Sequence, residues 1–247
     1  LVVVQMALSL ALLVTSGLLL TSLRVMHDNV PPAARTTLVA RLDVDALGYS
    51  SADTRRLRDD LLTRLASHPR VQSVAAERMV ELRYWSATDD TGVTRYAGGG
   101  YVTASWFETA GLRLVAGRTF QASDGGATAV VSESVARQLA PGGSPVGTLF
   151  YVNSAAIAPQ SRHTIVLTRP IPGQPPATPL RRIAVEVIGV VADMPERADD
   201  PPPDPAVYLP LPPDTAGMFT LRVRTNDPDA MAPQVRDVVR QAEPRLP

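Results

Sequence analysis

The chain has 247 residues, a formal net charge of zero, no cysteine, and aromatic residues at only 5%. That length and apolar content suit a substantial core, while the composition excludes disulfides and thiolate chemistry and offers no basic, ring-rich surface for nucleic acid. All 24 cationic side chains are arginine, which also excludes a phosphate-loop lysine and a Schiff-base lysine.

From Leu1 to Leu23 there is no charged side chain, and the first is Arg24. A helix of about this length crosses the roughly 30 Å hydrocarbon core of a bilayer, so residues 1–24 are expected to form one transmembrane helix. A secretory leader would carry a basic start, a shorter apolar run and a small-residue cleavage site. The chain shows none of these and does not begin with methionine, so it is expected to be part of a longer protein. Ala7, Ala11 and Thr15 recur four apart, near Gln5, Ser9, Ser16 and Gly17. That spacing suits close packing against another helix in lipid, although an alanine-rich sequence also produces it by chance.

Thr37 to Asp45 alternates apolar and polar residues, the pattern of a half-buried strand. Ser50 and Asp53 form an S-x-x-D capping box. The helix that follows buries Leu57, Leu61, Leu62 and Leu65 on one stripe and stops at Pro69. Val71 to Leu82 is predicted as a second strand, completing a β-α-β unit. The middle of the chain has another texture. Gly98–Gly100 is expected to break the chain as a bend, a short helix near Ser105–Ala110 ends at Gly111, and Leu112–Val115 forms a short strand. Ala129–Val131 leads into a helix capped by Ser132, which ends at Pro141-Gly142-Gly143. Residues 158–180 and 199–213 are proline-rich and are predicted as extended surface loops. Ile183–Val191 is a buried strand and Phe219–Arg224 another. Asp227-Pro228 starts the closing helix, with Met231, Val235, Val238 and Val239 on its apolar stripe and Pro233 expected to delay its true start.

Few residues carry chemistry. Gly142 to Thr148 (GGSPVGT) superficially copies a phosphate loop but lacks the lysine and follows a helix, so a turn is expected. His27, His68 and His163 share no ligand spacing. Ser144 lacks the nucleophile-elbow frame. Asp193, Asp199, Asp200 and Asp204 could attract a divalent cation, but intervening prolines favour a solvated loop. Trp106 and Phe107 are assigned to the core, whereas Tyr84-Trp85 could line a partner or substrate surface. No residue is assigned a catalytic, cofactor-binding or metal-binding role.

Several blocks together resemble a known family. The apolar start LVVVQMALSLALLVTSGLLLTSL is followed by SWFETAGLRLVAGRTF, Asp124 and AVVSESVARQLAPGGSPVGT. VEVIGVVADM, PAVYLPL and LRVRTNDPDAMAPQVRDVVRQAEPRLP come next in the same order. The ordered set is similar to the MacB-like periplasmic domain of FtsX-like ABC-transporter permeases, and most like the second repeat of the duplicated permeases encoded without an adjacent ATPase. Thr148 stands where that family usually has a basic residue, and 151–180 is longer than its usual linker.

The resemblance implies an α+β fold: one transmembrane helix, a discontinuous porter-like subdomain at 35–85 and 181–247, and an inserted subdomain at 86–180 carrying the proline-rich loop. It implies a non-enzymatic part of a permease in the bacterial inner membrane, with the main domain periplasmic and with no cofactor. Its partners would be a cytoplasmic ABC ATPase, the other transmembrane helices of the permease, and a second repeat or dimer partner. Its work would be export or hand-over of a hydrophobic, peptide or lipoprotein substrate. The alternative role in the same fold is signalling, with the outer domain activating an extracytoplasmic partner such as a cell-wall hydrolase.

Overall fold

A computed structural model describes residues 5–6, 9, 12–21, 35–80, 82–86, 95–121, 123–153, 164–166, 181–194 and 205–246. Residues 12–21 are helical, and Leu12, Leu13, Val14, Leu18, Leu19 and Leu20 are all exposed. Among the described residues no helix is long and apolar enough to cross a membrane; Ala7 and Ala11 of the expected span lie outside them.

The chain then runs β1 (Thr37–Leu42), α1 (Ser51–Ala66), β2 (Val71–Met79), β3 (Leu82–Ser86), β4 (Arg95–Val102), α2 (Trp106–Ala110) and β5 (Leu114–Gly117). It continues with β6 (Thr128–Ser132), α3 (Glu133–Leu139), β7 (Leu149–Asn153), β8 (Thr164–Val166), β9 (Arg181–Val191), β10 (Ala206–Pro210), β11 (Phe219–Thr225) and α4 (Pro228–Ala242). Local signals set the helix ends. The Ser50 hydroxyl accepts from the Asp53 amide while Asp53 accepts from the Ser50 amide, so the capping box caps α1 as expected. Asp227 caps α4 by accepting from the Ala230 amide at 3.0 Å. Pro233 lies inside α4 rather than delaying it, because Asp227 and Pro228 already fix the first turn.

The described strands join one sheet of eleven, with the path β1-β11-β2-β4-β10-β6-β9-β7-β3 and with β5 and β8 each paired to β9. β3 also pairs with β4. The pairings β3-β4-β10-β6-β9-β7-β3 therefore close into a ring, and β1-β11-β2 extends from it as an open wing. Inside the ring lie alternate residues of successive strands, including Ala97, Tyr101, Val131, Phe150, Val152, Val185, Val187 and Leu209, with Val135 and Leu139 of α3 packed onto them. The wing has its own core, in which α1 and α4 cover Leu42, Val74, Ala76, Leu221 and Val223.

Three further expectations are corrected. The resemblance groups β9 and β10 with 35–85, yet β9 pairs β6 and β7, and β10 pairs β4 and β6, all within the ring; a buried apolar strand shows its face but not its partner. The proline-rich segments also contribute strands. β8 interrupts 158–180 with a Thr-Ile-Val run, and β10 interrupts 199–213 with Val-Tyr-Leu, both rich in strand-forming side chains. The remaining residues of 158–180 lie outside the described residues.

The third correction concerns Gly98–Gly100, which sits within β4 rather than at a bend. A Cβ on Gly99 would stand 2.1 Å from the Val207 carbonyl oxygen, and one on Gly100 would stand 2.2 Å from that of Arg78. Both glycines also have positive φ. The glycines are where β10 and β2 approach β4 from opposite edges, and no larger residue fits. Gly99→Ala should cost about 2–4 kcal/mol of stability. Gly143→Ala, where nothing lies within 4 Å of the added carbon, should change stability by less than about 0.5 kcal/mol. Urea melts of the two variants test this, and equal midpoints would contradict it.

Candidate functional site

The wing and the ring meet at α2. This short helix follows ring strand β4 but packs across the outer face of the wing. Its lead-in is stitched to β2: the Thr103 amide donates to the Ala76 carbonyl at 3.0 Å, the Ala76 amide donates to the Thr103 hydroxyl at 3.0 Å, and the Ser105 hydroxyl donates to the Val74 carbonyl at 2.7 Å. Arg224 of β11 donates to the Glu108 carbonyl at 2.9 Å. The helix ends at Gly111, whose φ of 72° is left-handed, and glycine is the residue type such a cap favours.

Trp106 and Phe107 are buried, as expected. Trp106 packs against Tyr208 of β10 with the rings tilted at 39° and their centroids 4.8 Å apart, and Phe107 meets Tyr208 edge-on at 5.4 Å. Burial raises the Tyr208 phenol pKa, and the nearby Glu77 charge adds to it. Ala75, Val102, Val130, Ile188 and Val191 complete this third core, drawn from wing and ring strands alike.

At its centre is a buried carboxylate, Glu77 of β2. It accepts from the Trp106 indole N–H, and from Arg222 of β11 at 3.0 and 3.2 Å. Arg222 also stands over the Trp106 ring, 5.7 Å from its centroid. Glu77 and Arg222 are diagonal neighbours, since Glu77 pairs with Thr220 and Arg222 with Ala75. Sequence reasoning missed this group. The available signal was one acidic residue in the apolar run Val74–Glu77 and an arginine at alternate positions of FTLRVRT.

A second polar cluster closes the wing. Glu243, just after α4, accepts from the Tyr49 hydroxyl and from Arg245 at 2.8 and 3.0 Å. Arg245, ahead of Tyr49, holds the Glu243 carboxyl down at about 2.

The other candidates fall apart or are engaged locally. Asp193 accepts from the Ser134 amide and hydroxyl at 2.9 and 2.7 Å and from Arg137 at 3.2 Å. Burial opposes its ionisation, but Ser134, Ser132 and Arg137 outweigh that and hold its carboxyl below the usual range. Asp199, Asp200 and Asp204 lie outside the described residues, as do His27 and His163. The ring of His68 accepts from the Arg70 amide. Among the described residues, no three His, Asp or Glu come together as metal ligands. Gly142–Thr148 forms turns, and the Gly147 amide donates to the Val187 carbonyl at 2.8 Å. Tyr84 and Trp85 lie in β3, with side chains outside the described residues.

The MacB-like periplasmic core domain model matches residues 1–242, and the chain belongs to that family, whose members are domains of ABC-transporter-type permeases. The fold is similar to the periplasmic region of MacB from Actinobacillus actinomycetemcomitans, at TM-score 0.50 and 15% identity, covering 83% of each chain. It is equally similar to the extracellular domain of the noncanonic ABC-type transporter YknZ from Gram-positive bacteria, at TM-score 0.50 and 15% identity, covering 83% of this chain and 93% of that one. No curated protein matches the chain in sequence.

The Glu243 cluster generates a pH prediction. Its folded pKa of about 2 lies below the ordinary 4.5, so its stabilisation is complete above the ordinary value and is lost as pH falls through the folded one. The stability gap between wild type and Glu243→Gln should therefore be constant near neutrality and close between pH 4.5 and about 2. Denaturant melts across that range measure it; a gap unchanged down to the lower limit would contradict the assignment.

Proposed function

We propose that the chain is the extracytoplasmic domain and first helix of an ABC-transporter permease repeat, in which a cytoplasmic ATPase drives export or hand-over of a hydrophobic, peptide or lipoprotein substrate. The domain works mechanically, with the wing and the ring as its two moving parts. The observation that carries this reading is the Glu77 group: two strands of the wing and the helix leaving a ring strand share one buried carboxylate. A displacement of the wing cannot leave α2 behind without stranding Glu77, Arg222 or the Trp106 N–H inside the protein, which costs several kcal/mol.

Family membership, the uncharged run Leu1–Leu23 and the exposed leucines of helix 12–21 support membrane attachment with the domain outside the cytoplasm. Ala7, Ala11 and Thr15 supply the face on which this helix packs against the other helices of the permease.

Affinity purification of the complete gene product from native membranes tests the proposal. An ABC ATPase with vanadate-sensitive hydrolysis should copurify. Ala7→Leu combined with Ala11→Leu keeps the segment apolar but should lower transport of the assembled complex at matched expression, while Leu12→Ile with Leu19→Ile should not. Absence of any associated ATPase would overturn the reading.

A further inference from the structure

Strand β1 is the edge of the wing, and among the described residues it pairs only with β11. The Thr225 amide donates to the Thr36 carbonyl at 2.8 Å. With the register Leu38↔Val223 and Ala40↔Leu221, this puts Leu38, Ala40 and Leu42 in hydrogen-bonded pairs with β11. The main-chain groups of Val39 and Arg41 consequently point outward along the edge. Exposed edges of this kind are templates for another strand, and proteins usually blunt them with proline or a bulge. TLVARL has neither.

Beside that edge, under α4, runs a groove of about 310 Å³. Leu38, Leu42, Val235, Val239 and Leu246 give it an apolar floor. An added strand would turn alternate side chains into this groove, since side chains of a strand alternate between faces. Val39, half exposed at 52%, continues the apolar surface on the opposite face.

Charge selects the occupant. Arg41, on the Val39 face of the strand, and Arg236, on α4 beside the groove, flank this edge from its two sides, both are exposed, and neither has an ion-pair partner among the described residues. The one acid in the lining, Asp43, is turned to the Asp45 amide at 3.1 Å.

We propose that the β1 edge and its groove form a docking surface for an extended acidic peptide segment that adds to the sheet as a further strand. Its apolar side chains enter the groove beneath α4, and the carboxylates on its other face meet Arg41, with Arg236 adding positive charge at the rim of the groove. The main-chain ladder gives affinity, and the positive charge flanking the edge, Arg41 foremost, gives selectivity. This inference stands apart from the coupling role of Glu77, because the groove lies on the other face of the wing.

The test uses the full chain in detergent and short fluorescein-labelled peptides, followed by fluorescence anisotropy. A peptide of alternating valine and glutamate should bind saturably. A valine–arginine peptide should bind at least roughly tenfold more weakly. The valine–glutamate peptide with alternate main-chain amides methylated should not bind, since it cannot form the ladder. Arg41→Glu with Arg236→Glu should reverse the preference, while a thermal melt shows that the variant remains folded. Equal binding of the acidic and basic peptides, unchanged binding of the methylated peptide, or an unreversed preference in the folded variant would each overturn the proposal. So would sedimentation showing the unliganded chain paired through β1 as a dimer that Val39→Arg dissociates.

Discussion

A carboxylate taken out of water has to be matched, and Glu77 is matched from two directions: by Arg222 on a neighbouring wing strand and by the indole of Trp106 on α2. Removing either donor would leave charge or a polar atom buried without a partner, at a cost comparable to much of a domain's net stability. This obligation fixes α2 on the wing. It also fixes Trp106 against Tyr208, and through Tyr208 it fixes β10, which runs between β4 and β6 of the ring.

The sheet supports the same connection through its backbone. β2 and β3 are separated by only Val80 and Glu81, and they use different lengths of β4: Glu77–Met79 pairs with Gly100–Val102, and Leu82–Tyr84 pairs with Arg95–Ala97. One nearly continuous strand thus leaves the wing and enters the ring. β4 can be approached so closely by β2 and β10 only because glycines stand at Gly99 and Gly100. The backbone crossing and the polar crossing lie side by side, so the proposed motion has to bend this junction rather than slide across it.

Features set by neighbouring residues were legible in the sequence. The Ser50–Asp53 box, the Gly111 cap, the Asp227-Pro228 start and the apolar stripes of α1 and α4 all depend on spacings of a few residues, where steric and hydrogen-bonding rules act directly. Pairing was not legible. IAVEVIGVV announces a buried strand, but whether it joins Val74 or Val130 depends on contacts distant in sequence. The glycines of β4 misled for a related reason, since the atoms that require them belong to Val207 and Arg78. Glu77 was hidden in the same way: an acid in a strand is ordinary until its diagonal neighbour and the indole across from it are known. The absence of a catalytic motif left the family resemblance to carry the functional reading, and the family match covers residues 1–242.

If Glu77 ties the wing to the ring, the two should open as one unit, and native-state hydrogen exchange reads this directly. Amides of Leu221 and Val223 in the wing and of Val185 and Val187 in the ring should share one opening free energy in the wild-type chain. In Glu77→Gln, which keeps the size but removes the charge that Arg222 requires, the two sets should separate by about 1–3 kcal/mol. Wing and ring amides that already differ in the wild type, or that stay together in Glu77→Gln, would contradict the account.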